Sequence, residues 1–262
     1  MSDSIILVDK TEGIATITLN RPDSMNALST ELIAAFNDTF ADLKDDPSIG
    51  AAILTGNGRA FCAGLDLKEL SQGGNLLGKS DEKAKVDANI INPMKAFGRP
   101  IIGAINGAAI TGGFELALAC DIIVASTEAR FADTHARVGV IPGSELSQKL
   151  SRTIGIYRAK EVSLTGNFIS AQQAESWGLV NRVVDPSELL PTCRQLAQDI
   201  LSCPWEMVRE YKQLIDNGFQ LAFKDGVELE RETPHKHFAT VNSESIAKAT
   251  GSVLDRGRKQ QY

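Results

Sequence analysis

The stretch NGAAITGGFELALACD, residues 106–121, decides how this sequence is interpreted. It follows the strand-like run PIIGAIN (100–106) and precedes another, DIIVAS (121–126). Two adjacent glycines stand directly before an apolar segment that carries one acid, Glu115. A tight glycine turn that enters a helix exposes backbone N–H groups which have no acceptor inside the helix. The stretch therefore predicts a strand, a glycine turn and a helix with a carboxylate near its start.

A similar pattern occurs 49 residues earlier in the chain. NGRAFCAG (57–64) and NGAAITGG (106–113) share Asn, Gly, Ala and Gly at matching places, and each follows a strand-like run. The offset is within the range of repeated supersecondary units. If the two turns converge, their N–H groups and helix dipoles form an anion site or an oxyanion hole. The structural alternative is two ordinary tight turns between strand and helix.

The hydrophobic pattern predicts an α/β core followed by a helical region. SIILVD and GIATITLN predict two antiparallel strands, and Ser29 predicts the N-cap of a helix with one apolar face. Residues 79–97 predict another helix, and Ser170 with Gln173 predicts a capping box. Strands alternate with helices to about residue 185, and only helices follow. The glycine-rich and then charged segment 71–85 is predicted to be a mobile loop.

Charge and motifs exclude several classes of function. The net charge of -6 argues against a nucleic-acid-binding protein. The chain lacks the P-loop, the GxGxxG dinucleotide fingerprint and the GxSxG nucleophile elbow. No cysteine pair has CxxC spacing, and the three histidines are not spaced with acids as metal ligands usually are. We expect no metal and no cofactor.

The expected compartment follows from cysteine usage and hydropathy. Four cysteines in 262 residues are typical of a protein in a reducing compartment. The apolar run near the N-terminus is too short for a signal peptide, and no run approaches the ~20 residues that span a membrane. The sequence therefore predicts a cytoplasmic protein that is not embedded in a membrane.

Five segments together resemble the crotonase family, the enoyl-CoA hydratase/isomerase superfamily. The resemblance extends over nearly the whole chain, and the segments that carry it follow in order: NRPDSMNALS, FCAGLDLKEL, NGAAITGGFELALACDIIVAS, FADTHARVGVIPGSELSQKLSRTIG and AQQAESWGLVNRVV. The resemblance implies an α/β fold, a spiral of ββα repeats followed by a C-terminal helical trimerisation region. It also implies an acyl-CoA thioester as substrate, with coenzyme A as part of that substrate.

The resemblance also implies a domain organisation and an assembly. The α/β core with the acyl-CoA site would span residues 1–190, and the helical oligomerisation region residues 191–262. Family members usually form homotrimers, or hexamers made of two trimers. The helical segment after about residue 186 has more apolar positions than one exposed layer needs, and we interpret its apolar stripe as part of the trimer-forming surface: Leu189, Cys193, Leu196 and Ile200.

By family position, the backbone N–H groups of Leu65 and Gly112 would hold the thioester oxygen in an oxyanion hole. The segment that contains Ala63 and Asp66 would lie beside the adenine of CoA, with the Ala63 carbonyl as a partner. Lys68 stands where a basic residue often approaches the nucleotide end. Asp23 departs from the pattern, because hydratases often carry a basic residue there.

Glu115 resembles the first of the two hydratase glutamates, although a glutamate in the first turn can also merely complement the helix dipole. The position of the second glutamate is His135, which departs from the hydratase and the isomerase pattern alike. His135 could act as the second acid or base near neutral pH, or be a polar replacement bonded to Asp133 or to backbone. Glu145 could supply the missing carboxylate, or be an exposed loop acid.

The main prediction is an enoyl-CoA hydratase, a lyase of fatty-acid or related acyl-CoA catabolism. Its shared chemical step is the stabilisation of a thioester enolate, with proton transfer by Glu115 and His135. Two alternatives stay open at this point. The protein could be an isomerase or catalyse another crotonase-type reaction, because fold does not determine reaction. It could also be an acyl-CoA-binding protein without catalytic activity.

Overall fold

The computed structural model describes residues 4–72 and 90–238, together with isolated positions between 246 and 258. The chain divides into two compact units, Met1–Trp205 and Glu206–Tyr262. Most of the predicted mobile loop, and the first part of the helix predicted over 79–97, lie outside the described residues. Within them, no helix is both long enough and apolar enough to cross a bilayer.

The described residues of the first unit form ten strands in two sheets. The larger sheet has six strands, in the order β1-β2-β3-β5-β7-β10, and the smaller has four, in the order β4-β6-β8-β9. The strands are β1 Ile6–Thr11, β2 Ile14–Leu19, β3 Ala51–Gly56, β4 Ala60–Cys62, β5 Ile101–Ile105, β6 Ala108–Ile110, β7 Ile122–Ser126, β8 Arg130–Ala132, β9 Ile169–Ser170 and β10 Arg182–Val184. The pairs β1–β2 and β8–β9 are antiparallel, and the other pairs are parallel.

Eleven α-helices are described, nine of which begin and end in the first unit. They are α1 Thr30–Asp45, α2 Leu67–Ser71, α3 Ile91–Phe97, α4 Gly112–Ala119, α5 His135–Val138, α6 Leu146–Ile154, α7 Ile156–Thr165, α8 Ala171–Ser176, α9 Leu189–Leu201, α10 Trp205–Gly218 and α11 Phe223–Phe238. Alternating strands and helices followed only by helices confirm the predicted α/β core with a helical C-terminal part.

The predicted repeat is a ββα unit that occurs three times. The strands β3, β5 and β7 of the larger sheet lead into β4, β6 and β8 of the smaller one, and α2, α4 and α5 follow. The sequence pattern predicted a strand, a glycine turn and a helix, and the structure adds a three-residue strand between each Asn-Gly turn and the helix that follows. The glycine pair that begins with Gly112 does open α4, as predicted. Asn106 ties the first two turns together, since its side chain accepts from Gly56 N at 3.0 Å and donates to the Gly58 carbonyl at 2.9 Å.

The two predicted helix caps are confirmed. Ser29 Oγ accepts from Leu32 N at 3.2 Å, and Ser170 Oγ accepts from Gln173 N at 3.1 Å. A serine at the N-cap satisfies one of the N–H groups that a helix start leaves without an acceptor. The apolar face predicted for α1 is buried at all five positions: Leu32, Ile33, Phe36, Phe40 and Leu43.

The apolar stripe on α9 is occupied within the chain. Leu189 and Cys193 are buried against one face of the larger sheet, and Leu196 and Ile200 pack partly buried against the same cluster. The interpretation of this stripe as a surface for another subunit is therefore wrong. Parallel sheets need cover on both faces, and α9 supplies it on this one. The first compact unit extends to Trp205, and an oligomerisation region from residue 191 stays a prediction.

Candidate active site

Two glycine turns of the first unit converge. A Cβ on Gly64 would lie 3.0 Å from Gly112 N, and a Cβ on Gly112 would lie 3.7 Å from Leu65 N. Gly64 also has φ +84°, a conformation that side chains rarely adopt. Leu28 holds the first turn, because its N–H donates to the Gly64 carbonyl at 2.8 Å and its carbonyl accepts from Asp66 N at 3.0 Å. The convergence that the repeated pattern left open is therefore present.

The N–H groups of Leu65 and Gly112 lie side by side at this junction. Among the described residues, neither group donates to a protein acceptor, while the amides of Leu28 and Asp66 both do. Gly112 is the first residue of α4, where an N–H has no intrahelical partner and the helix dipole adds partial positive charge. Two such donors can stabilise one oxyanion between them.

Glu115 lies one turn into α4 and is only 5% exposed. Its Oε1 accepts from the backbone N–H of Ser144 at 3.0 Å, so a loop 29 residues away holds the carboxylate in place. Burial raises the pKa of Glu115, and the Ser144 hydrogen bond and the charge of His135 oppose that rise. The result is a carboxyl group that can exchange protons closer to neutrality than an exposed one.

His135 is buried at the start of α5, beside Asp133. Its Nδ1 lies 2.7 Å from Asp133 Oδ1, which also accepts from the His135 backbone N–H at 3.2 Å. Burial acts to raise the pKa of Asp133, but hydrogen bonds from His135 and Ser163 outweigh it, and the net pKa is lowered. An ionised Asp133 can accept a hydrogen bond from Nδ1–H of the neutral ring, and Nε2 then carries a lone pair.

One of the two interpretations of His135 was a structural role in which its side chain is hydrogen-bonded to Asp133 or to backbone. The bond to Asp133 is present, as that interpretation requires. The same bond also orients the ring, as a carboxylate does for a catalytic histidine. The sequence interpretation mentioned Asp133 only as a structural partner. The D-x-H spacing of Asp133 and His135 is the signal that could have suggested a pair.

Glu145 is engaged elsewhere. Its carboxylate pairs with Lys95 and lies 3.4 Å from Lys149 Nζ. Burial acts to raise the pKa of Glu145, but the hydrogen bond and charge of Lys95, together with Lys149, lower it overall. In the described part of the chain no hydrogen bond joins this carboxylate to Glu115 or His135. These contacts favour the interpretation of Glu145 as a loop acid.

The three residues expected near the nucleotide of CoA, Ala63, Asp66 and Lys68, differ in burial and in hydrogen-bond partners. Asp66 caps α2 through Lys68 N at 3.1 Å and pairs with Arg21 at 3.1 Å, so its carboxylate has protein partners. The side chain of Lys68 is exposed. Ala63 is half-buried, and its N–H donates to the Met25 carbonyl at 3.0 Å. Arg21, which the sequence interpretation missed, holds Asp66 from the turn that contains Asp23.

Convergent backbone donors from two ββα turns, with a buried carboxylate one helical turn away, define a class of α/β proteins built to stabilise an oxyanion. The model of the Enoyl-CoA hydratase/isomerase family matches residues 9–255. The chain belongs to the enoyl-CoA hydratase/isomerase family.

Individual relatives match this chain over most of their length. The chain is 41% identical to a probable peroxisomal enoyl-CoA hydratase 1 of Arabidopsis thaliana, over 99% of this chain and 97% of the relative. It is 34% identical to the short-chain-enoyl-CoA hydratase of Clostridium acetobutylicum, over 90% of each chain. The crystal structure of an enoyl-CoA hydratase from Bacillus anthracis is 34% identical, with a TM-score of 0.84 over 95% of this chain and 96% of that one.

Proposed function

We propose that this protein catalyses the reversible hydration of 2-enoyl-CoA thioesters in acyl-CoA catabolism. The observation that carries the proposal is the convergence of the Leu65 and Gly112 N–H groups beside the buried Glu115. The names of the relatives support an enoyl-CoA substrate. Enolate stabilisation needs donors aimed at the carbonyl oxygen and an acid–base group near the adjacent carbons.

In the proposed reaction, the thioester oxygen accepts hydrogen bonds from Leu65 and Gly112. Water attacks C3, the electron pair of the double bond moves into the enolate, and C2 then takes a proton while the carbonyl re-forms. One group must accept a proton from the water, and one must donate a proton to C2. Glu115 and His135, holding one proton between them, supply the acceptor and the donor. Asp133 keeps the His135 ring oriented through Nδ1.

For CoA itself, we propose that the Ala63 carbonyl accepts from the adenine amino group and that Lys68 approaches the phosphates. Asp66 has a different proposed role, because Arg21 and the start of α2 already engage its carboxylate. It holds the 63–66 turn in shape. Remote contacts to the nucleotide contribute binding energy that a free acid cannot provide.

The test is crotonyl-CoA hydration by the wild type and by His135→Ala, measured from pH 5 to 9. We expect the wild-type profile to have an acidic limb where Glu115 titrates, because this carboxyl group takes part in the proton transfer. The acidic limb should lie above the range of an ordinary carboxyl group, since burial raises the pKa of Glu115. His135→Ala should lower the rate about 10²–10⁴-fold.

Measurements of ligand binding distinguish a hydratase from a protein that only binds acyl-CoA. Calorimetry should show that acetoacetyl-CoA binds far more tightly than acetoacetate. Binding without turnover of crotonyl-CoA would leave an acyl-CoA-binding protein or another crotonase-type reaction, and equal affinity for the free acid would refute the CoA site. If His135→Ala keeps both the rate and the pH profile, His135 is structural, and Glu145→Gln then tests the other carboxylate.

We also propose that the chain assembles as a homotrimer or as a hexamer of two trimers. In the second unit, α10 and α11 form a groove with a mostly apolar lining that includes Tyr211, Ile215, Phe223 and Val227. Tyr211, Ile215 and Phe223 are exposed, and apolar surface of this kind is typical of subunit contacts. Light scattering should give a mass that is a multiple of three chains, and a monomer at micromolar concentration would contradict the proposal.

A cytoplasmic location stays a prediction. It is supported by the four cysteines, which are all free, as expected in a reducing compartment.

A further inference from the structure

Thr111, directly before Gly112, has a backbone conformation that few side chains adopt. Its φ is +54° and its ψ is −109°. For a β-branched residue, positive φ is an outlier, because the side chain crowds the backbone. The peptide plane between Thr111 and Gly112 contains the Gly112 N–H, so the ψ of Thr111 sets the direction in which this donor points. A strained residue therefore sets the direction of the Gly112 N–H, one of the two donors of the oxyanion hole.

Three sets of contacts hold Thr111 in this conformation. Its N–H donates to the Ala132 carbonyl at 2.9 Å, and its carbonyl accepts from Glu115 N at 2.9 Å. Its Oγ1 lies 2.5 Å from Thr134 Oγ1 and accepts from Thr134 N at 3.3 Å. The two backbone contacts belong to the β6–β8 ladder and to the first turn of α4. The hydroxyl pair is the contact that the two side chains add.

The hydroxyl pair joins two parts of the site that are 23 residues apart in sequence. Thr111 belongs to the second ββα unit and precedes the Gly112 donor. Thr134 belongs to the third unit, immediately before His135, at the N-cap of α5. Both side chains are half-buried, which shields the pair from competing water. The pair therefore couples the direction of the Gly112 N–H to the segment that carries His135.

We propose that the Thr111–Thr134 hydroxyl pair is a positioning device for the oxyanion hole. It keeps Thr111 in the strained conformation and so keeps the Gly112 N–H aimed at the thioester oxygen. The two threonines act through Gly112 and do not contact the reacting atoms. The inference rests on the proposed role of Leu65 and Gly112 as the donors to that oxygen.

Thr134→Val tests the pair, because it removes the hydroxyl group and nearly preserves the shape of the side chain. We expect kcat for crotonyl-CoA to fall about 10–100-fold, as for a misdirected hole donor, with KM nearly unchanged. The near-ultraviolet absorbance of the enolate form of bound acetoacetyl-CoA should fall as well, while the Kd of that ligand stays similar. Thr134→Ser restores a hydroxyl group and should restore both signals.

Testing Thr134→Val in a Thr111→Gly protein shows whether Thr134 acts through Thr111. Glycine adopts positive φ without strain, so this variant should keep the Gly112 N–H in place without a tether. We expect Thr134→Val to have little further effect on kcat in the Thr111→Gly background. Such non-additivity is the signature of a residue that acts through its contact partner.

Two results would overturn the inference. One is a folded Thr134→Val protein with wild-type kcat and enolate absorbance, and the other is an equal loss from Thr134→Val in the Thr111→Gly background. Thr134→Ala takes its place if Thr134→Val does not fold, as judged by thermal unfolding. If the wild type forms the enolate but does not hydrate crotonyl-CoA, the hydration proposal fails, and the absorbance still decides the role of the pair.

Discussion

Glu115→Gln is expected to lower the rate of crotonyl-CoA hydration about 10²–10⁴-fold while the protein folds normally. Glutamine keeps the size of the side chain, and its Oε1 can still accept from Ser144 N. It cannot exchange a proton with water or with C2. The measurement is the initial rate of crotonyl-CoA loss at the pH optimum of the wild type, with Kd for acetoacetyl-CoA as a check on binding.

The same substitution should leave stability unchanged or raise it at neutral and alkaline pH. Burial raises the pKa of Glu115, so the folded protein binds more protons than the unfolded chain between the ordinary and the raised pKa. The stability of the wild type therefore falls as pH rises through that range. Glutamine has no charge to bury, and its advantage in Tm should shrink as pH falls below the ordinary carboxyl range.

Two other glutamates serve as controls for Glu115→Gln. Glu175 also accepts a backbone N–H, that of Val183 at 2.9 Å, but is exposed, so Glu175→Gln should keep full activity. Glu145→Gln should also change the rate little, because Lys95 and Lys149 engage that carboxylate. Wild-type turnover in a folded Glu115→Gln protein would show that Glu115 takes no part in the mechanism. A large loss of activity in Glu145→Gln would identify Glu145 as the second catalytic carboxylate.

Gly112→Val is expected to lower turnover about 10²–10³-fold, because the added side chain would keep the thioester oxygen away from the two N–H groups, an effect comparable to the loss of one oxyanion donor. A Cβ at this position would lie 3.7 Å from Leu65 N and 3.4 Å from Gly64 Cα, beside the two donors. It would also lie 3.1 Å from Leu28 Cδ1, so overpacking adds about 1–3 kcal/mol of destabilisation. Gly112→Ala should show the same direction with a smaller effect.

Gly218→Ala is the matched control, because Gly218 ends α10 and a Cβ there meets no atom within 4 Å. Steady-state kinetics with crotonyl-CoA and a thermal unfolding curve are needed for each variant, so that a loss of folding is not mistaken for a loss of catalysis. A Gly112→Val protein that folds and keeps the wild-type rate would show that the hole lies elsewhere.

Elements set by nearby residues could be predicted from the sequence. The N-caps at Ser29 and Ser170 depend on hydrogen bonds that reach only three residues ahead. The buried face of α1 follows from the 3.6-residue period, and the runs that form β3, β5 and β7 are apolar because both faces of the sheet are covered. Such features depend on local geometry, so the pattern predicted them correctly.

Features that depend on distant contacts were predicted less well. The stripe on α9 has the right period for a buried face, but periodicity cannot tell whether the sheet of the same chain or another subunit covers it. Glu145 stands close to a motif in sequence, yet Lys95, from a helix 50 residues away, engages its carboxylate. Asp133 gains its importance only from its 2.7 Å contact with His135.

The sequence by itself determined the family, the alternation of strands and helices, and the position of Glu115 one turn after a glycine pair. Only the tertiary structure decided that the Gly64 and Gly112 turns meet, that Thr111 aims one donor under strain, and that Asp133 orients His135. The physical reason is the distance along the sequence over which each feature is determined. Caps and periodicity act over a few residues, whereas an oxyanion hole needs the amides of Leu65 and Gly112, 47 positions apart, to be brought together by parallel strand pairing.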